Sequence, residues 1–122
     1  MHRTWLHFLD DIREAVERIT TYTAGMTYEQ FLADKKTQDA VVRNFEIIGE
    51  AIKNLPEDLK ARYPSVAWKR ISGLRDVISH GYFRVDNEVI WGLIAERIPG
   101  FKTEMANILA EETRRDKESR AY

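Results

Sequence analysis

The chain has no cysteine. That removes a disulfide framework, a thiolate nucleophile and thiolate metal ligation together, and it fits a reducing, cytoplasmic setting. Long apolar runs are missing too: no window holds the ~18 consecutive apolar residues that a membrane span requires. The opening residues Met1-His2-Arg3-Thr4-Trp5 turn amphipathic and charged at once, without the apolar stretch of a signal peptide. Histidine is scarce, and His2, His7 and His80 form no ligand pair at i, i+3 or i, i+4, so no metal site is expected. Glu46 and Glu50 do stand four apart, but beside an apolar stripe they read as the polar flank of a helix. Gly73, Gly81, Gly92 and Gly100 are isolated, which excludes a glycine-rich phosphate loop, and no nucleophile elbow is present. No cofactor is implied. Strand alternation, internal repeats and a second domain are likewise not found.

What is there is helix. A chain of 122 residues, 43% hydrophobic and 32% charged, is one domain with enough surface to bury for a core. Thr4 is placed to cap a first helix reaching Tyr22, with Trp5, Leu9, Ile12, Val16 and Ile19 on one stripe, and Gly25 ends it. Thr27-Tyr28-Glu29-Gln30 reads as a capping box opening a short helix with Phe31 and Leu32. The polar run from Asp34 leads into a third helix over about 38–55, striped by Val41, Phe45, Ile48, Ile52 and Leu55. Pro56 and Pro64 bracket a helical connector containing Leu59 and Tyr63. A fourth helix is predicted from Ser65, turning Val66, Ile71, Leu74 and Ile78 inward before Gly81. After a turn, Asp86 is placed to cap a long last helix with Ile90, Ile94, Ile98, Phe101, Met105 and Ile108 inward, kinked or broken near Pro99. Residues 1–113 form the domain, and Arg114 to Tyr122 is predicted to be a charged, frayed tail. The fold class is an all-α bundle.

Leu6, Phe8, Ile47, Ala51, Trp68, Trp91 and Leu93 fall on second faces of their helices. A helix–helix homodimer would bury them and is the favoured reading, since large apolar patches on monomers are uncommon; a wide core stripe is the competing account.

The net charge of −1 argues against a general nucleic-acid coat. Its distribution is uneven. Residues 60–84 carry Lys60, Arg62, Lys69, Arg70, Arg75 and Arg84 against Asp76 alone, six cations less one anion, or +5, so the rest of the chain sums to −6. A basic segment in an acidic chain is the footprint of a local anion site, or else a solvated face paired with acidic neighbours.

Inside that segment lies Arg75-Asp76-Val77-Ile78-Ser79-His80-Gly81-Tyr82. On a helix Arg75 and Ser79 share a face and His80 stands about 140° from Arg75, while Gly81 frees His80 and Tyr82 from helical directions. Histidine titrates near pH ~6.5 and suits general acid or base work. Arginine holds two phosphate oxygens at once and stays charged. Tyrosine donates to phosphate or stacks on a base. RNA carries its own nucleophile, the 2′-hydroxyl, so this set needs no metal to cut it. The single motif histidine, His80, supplies a base or an acid, and a two-fold dimer supplies both. A histidine at a helix C-terminus can also be a cap favoured by the helix dipole.

Arg75-x4-His80-x-Tyr82, continued as Phe83-Arg84-Val85-Asp86, resembles the signature of HEPN-domain proteins of the HepT-like toxin family. The segment Val42-Arg43-Asn44-Phe45-Glu46-Ile47-Ile48-Gly49-Glu50-Ala51 resembles a second landmark of that family, and Ile90-Trp91 followed by Pro99 a third. The resemblance spans roughly Trp5 to Leu109. It implies an up-and-down helical homodimer with two motifs in one cleft and metal-independent endoribonuclease activity on RNA such as transfer or messenger RNA. It implies Arg75 on the scissile phosphate, His80 as acid/base and Tyr82 as assistant. It also implies that Tyr82 is the position adenylylated by a minimal nucleotidyltransferase antitoxin. Lys69, Arg70, Ser79 and Arg84 are candidates for RNA contact from their position around the motif rather than from the resemblance. A competing expectation is a non-catalytic helical dimer that docks a nucleotidyltransferase or binds nucleotides.

Overall fold

The computed structural model describes residues 2–74, 78–80 and 84–120, with the backbone alone at 2–4, 79–80 and 84–85. The described elements run α1 (His2–Thr23), α2 (Tyr28–Leu32), α3 (Lys35–Lys53), α4 (Glu57–Arg62), α5 (Trp68–Ser72), β1 (Ser79–His80), β2 (Arg84–Val85), α6 (Asn87–Glu96) and α7 (Ile98–Arg120). The architecture is a helical bundle carrying one very short hairpin.

The apolar stripes act as their spacing requires. Leu9, Ile12, Val16 and Ile19 of α1 are enclosed against Val41, Phe45, Ile48 and Ile52 of α3. The first and last helices also touch: α7 packs on α1 through a face of Ile98, Phe101, Met105 and Ile108, and Lys102 pairs with Glu17 at 3.1 Å. α5 leans on α3, α6 on α7, and α2 bridges α3 and α6. Phe31 and Trp91 meet at 5.3 Å between ring centres in that bridge.

Local chemistry fixes the helix ends. Gly25 has φ +74°, a conformation glycine adopts without strain, and it turns the chain out of α1. Thr4 lies inside α1 rather than capping it, since the helix already runs from His2. The Thr27–Gln30 capping box forms reciprocally, at 2.9 and 3.1 Å. α3 begins at Lys35, ahead of the residue 38 that periodicity suggested. Asp34 supplies the reason, accepting from the Thr37 amide at 3.0 Å and its hydroxyl at 2.7 Å. Those two bonds, the backbone one first, hold the Asp34 carboxyl below its ordinary range. Asp86 caps α6 through the Val89 amide, as its position predicts.

Further expectations need correction. The helix expected from Ser65 starts at Trp68, because Val66 and Trp68 donate into tight turns at Tyr63 and Val66. Ala51 and Trp68 are not spare surface for a dimer. Both are buried, and the Trp68 indole N–H is shared by the Lys60 and Tyr63 carbonyls at 3.1 Å each. The break expected near Pro99 is found: α6 stops at Glu96 and α7 starts at Ile98, so Pro99 sits in a first turn, where its missing N–H costs nothing. Finally, the expected frayed tail is helical to Arg120. Arg114 pairs with Glu111 and Glu118 along it.

Within that last stretch the buried face of α7 becomes polar, with Glu112 2% and Asp116 9% exposed. Glu112 accepts from Arg62 Nη2 at 2.7 Å and Nε at 3.3 Å, and from the Tyr63 hydroxyl at 2.6 Å. This clamp ties α4 to α7. It raises the Arg62 pKa through the Glu112 hydrogen bond. Burial, then the bond to Glu112, pushes the Tyr63 phenol up to about 12.

Removing Arg62 leaves the buried Glu112 carboxylate with only the Tyr63 hydroxyl and the more distant Arg115. Arg62→Ala is expected to cost about 2–3 kcal/mol in urea unfolding, less than the ~3–5 of a fully buried pair because Arg62 remains 31% exposed. Arg62→Met combined with Glu112→Leu should recover most of the loss. The raised Tyr63 pKa means that the folded state holds its proton more tightly than the unfolded chain. Stability from this group is therefore intact below pH ~10 and lost as pH rises towards 12. Alkaline unfolding of Tyr63→Phe should lack that component.

Candidate functional site

The described residues in and next to the motif are anchored on both sides. Ile78 is 2% exposed, and its carbonyl accepts from the Asp86 amide at 2.9 Å. Between these two points Ser79 pairs with Val85 and His80 with Arg84, antiparallel. The sequence expectation that Arg75 and Ser79 share a helical face is thereby corrected: Ser79 and His80 are extended strand. A carbonyl paired across a hairpin cannot also serve an α-helical turn, and valine after arginine favours the strand. Arg75 and Tyr82 lie outside the described residues. Of Ser79, His80 and Arg84 the backbone positions are given by the hairpin.

Further support comes from polar side chains around the α6 start. Asn87 donates to Gln38 at 3.2 Å, and Gln38 in turn donates to the Phe31 and Leu32 carbonyls at 2.8 and 3.0 Å. The hairpin thus leads into a helix whose first turn is tied to α3 and α2.

The basic segment divides when placed in three dimensions. Lys60 pairs with Glu57 at 2.6 Å, and Arg62 belongs to the Glu112 clamp with Asp58 at 3.6 Å. Lys69 and Arg70 are exposed on α5 and enter no ion pair among the described residues. Of the six cations counted in the sequence, Lys60 and Arg62 therefore serve the scaffold.

Arg70 also rims a groove of about 700 Å³ between α3, α5, α6 and α7. Phe45, Ile71, Leu74, Leu93 and Phe101 form its apolar walls, and Arg70, Glu96, Arg97 and Glu104 stand around them. A second concavity, about 250 Å³, lies between α3 and α5 and is lined by Arg43, Glu46, Gly49, Glu50, Lys53 and Ser72. Sequence reading treated Glu46 and Glu50 as a solvated flank and passed over Arg43, Lys53 and Ser72. The discoverable signal was charge at 43, 46, 50 and 53, one helical face. Among the described residues no group of three or more His, Asp or Glu side chains is placed to hold a metal ion. No described helix is long and apolar enough to cross a membrane.

α3 and α5 approach closely at Gly49. A Cβ there would lie 3.3 Å from the Ser72 carbonyl oxygen. Gly49→Val is expected to cost about 1–3 kcal/mol through overpacking, with Gly49→Ala smaller because helix propensity offsets part of it. Thermal melts of both variants check this, and an unchanged melt for Gly49→Val would disprove the close approach.

Comparison with known proteins bears on the same segment. Residues 12–108 match the family model described as "Ribonuclease HepT-like". The chain is 46% identical over 102 residues to "Probable ribonuclease HepT" of Thermococcus cleftensis, covering 84% of this chain and 93% of that protein. It is 45% identical over 104 residues to "Putative RNase MJ0127" of Methanocaldococcus jannaschii, covering 85% of this chain and 86% of that protein. No solved structure matches. With its Arg75-x4-His80-x-Tyr82 segment inside the matched region, the chain belongs to the HepT-like ribonuclease family.

Proposed function

We propose that this chain is a metal-independent endoribonuclease, the toxin of a toxin–antitoxin pair. The observation that carries the reading is family membership over a region that includes an intact Arg75, His80 and Tyr82. His80 takes the proton of an RNA 2′-hydroxyl as that oxygen attacks the adjacent phosphorus. Arg75 holds the phosphoryl oxygens as negative charge grows on them. The 5′-oxygen leaves and collects a proton from the His80 of the partner subunit. The products are a 2′,3′-cyclic phosphate and a 5′-hydroxyl, with no water consumed in the step.

A homodimer is part of this reading. The large groove has apolar walls and two charges of each sign at its rim, Arg70 and Arg97 with Glu96 and Glu104. A two-fold interface brings one patch against itself, so it needs this kind of self-complementarity. Leu74 in the groove immediately precedes Arg75 in the chain, which favours two motifs meeting there. Tyr82 assists and is the site that a minimal nucleotidyltransferase antitoxin adenylylates. The added phosphate and base would fill and repel an RNA-binding cleft.

A second reading is a non-catalytic dimer that docks a nucleotidyltransferase or binds nucleotides. The use of Lys60 and Arg62 in scaffold ion pairs favours it, because less basic surface is left for RNA.

Incubation with total RNA in excess EDTA separates the two. The wild type should cut, leaving cyclic phosphate ends, and His80→Ala and Arg75→Ala should be slower by at least ~10²-fold. Protein mass must first exclude prior modification of Tyr82. Intact RNA with tight nucleotidyltransferase binding would establish the second reading instead.

A further inference from the structure

The smaller cavity between α3 and α5 is not used by the chemistry above. Arg43, Glu46, Glu50 and Lys53 stand at offsets 0, 3, 7 and 10, so α3 presents them as one row in the order positive, negative, negative, positive. Arg43 and Lys53 are about 15 Å apart along the axis at ~1.5 Å per residue. Ser72 of α5 closes the far wall, and Gly49 lets the α5 backbone come near enough to do so.

Several exposed helix charges elsewhere in the chain do pair. Asp10 with Arg13, Glu57 with Lys60 and Glu111 with Arg114 form ion pairs at a spacing of three. Glu50 and Lys53 have the same spacing but do not pair, and among the described residues Arg43, Glu50 and Lys53 enter no ion pair at all. All three are exposed. The row therefore offers an unpartnered carboxylate over a recess between two unpartnered cations. Ser72 is three residues ahead of Arg75 in the chain.

We propose that this cavity reads a guanine of single-stranded RNA beside the cleavage site, Glu50 accepting from the base while Arg43 and Lys53 hold the flanking phosphates. The proposal rests on RNA being the ligand, as in the ribonuclease reading. Guanine presents two adjacent donors, N1–H and the 2-amino group, which match the two oxygens of one carboxylate. Adenine and cytosine set a ring-nitrogen lone pair beside their amino group, and uracil flanks its imino hydrogen with two carbonyls. Each of these repels a carboxylate placed to bridge two positions. Bases of single strands are read on this edge, whereas a duplex hides it. The cations at either end supply the sequence-independent part of the affinity.

The test uses 2′-O-methyl oligonucleotides, which lack the nucleophile and so report binding whether or not the protein cuts. Fluorescence anisotropy in EDTA compares oligonucleotides that carry one guanine, inosine or uracil in a fixed context. The wild type should bind the guanine form about 10-fold tighter than the uracil form, with inosine between because it lacks the 2-amino donor. Glu50→Gln should erase the ranking while keeping residual affinity. Arg43→Ala and Lys53→Ala should weaken every sequence alike and flatten the salt dependence. Equal binding of all three bases, no binding, or a ranking that survives Glu50→Gln would overturn the proposal. A guanine preference with RNA left uncut would sustain it and remove the ribonuclease reading; cutting with no base preference would do the reverse.

Discussion

A carboxylate as enclosed as Glu112 obliges its surroundings to compensate it, and much of the molecule is arranged around that obligation. Arg62 and Tyr63 end α4 and are held to α7 by it. The same turn of chain exposes the Lys60 and Tyr63 carbonyls to the Trp68 indole, which opens α5. α5 then runs along α3 and delivers the chain to Ile78. The interaction is expensive to break and modest in net worth, as buried ion pairs generally are. Its service is positional: it decides where the connector between two prolines lies, and with it the direction from which the motif is approached.

The apolar half of this design was legible in the sequence and the polar half was not. Stripes at helical spacing identified the buried faces of α1, α3, α6 and α7 because burial and period are one constraint. Thr27 and Asp86 were readable as caps because their hydrogen bonds are local. Asp34 was passed over because it stood in a polar run with no apolar period to mark the boundary. Asp116 was read as part of a charged, frayed tail, and Glu112 was not singled out, since its partner Arg62 is 50 residues away in sequence. Nothing local announces a pair closed over that distance. Trp68 was misjudged for the same reason: its face looked spare until the α4 carbonyls it bonds were in view.

For the candidate site, the backbone around His80 was not readable from the sequence. Arg75, His80 and Tyr82 were singled out from chemistry and spacing, yet a continuous helix was drawn through Ser79. The hairpin depends on pairing His80 with Arg84 across residues 81–83, and two-residue strands are too short to show alternation. Fixed at Ile78 by core burial and at Asp86 by a helix cap, this short ladder sits on structure that is already stable.

The contact between α1 and α7 has a consequence in time. Ile12 and Val16 find part of their cover only when Phe101 and Met105 arrive, near the other end of the described chain. During synthesis the early helices can form and collapse, but the core stays open on one side until α7 has emerged. Contacts of that sequence separation are also the slow ones to close. A partial chain on the ribosome therefore presents Leu9 and Ile12 to its surroundings instead of a finished fold.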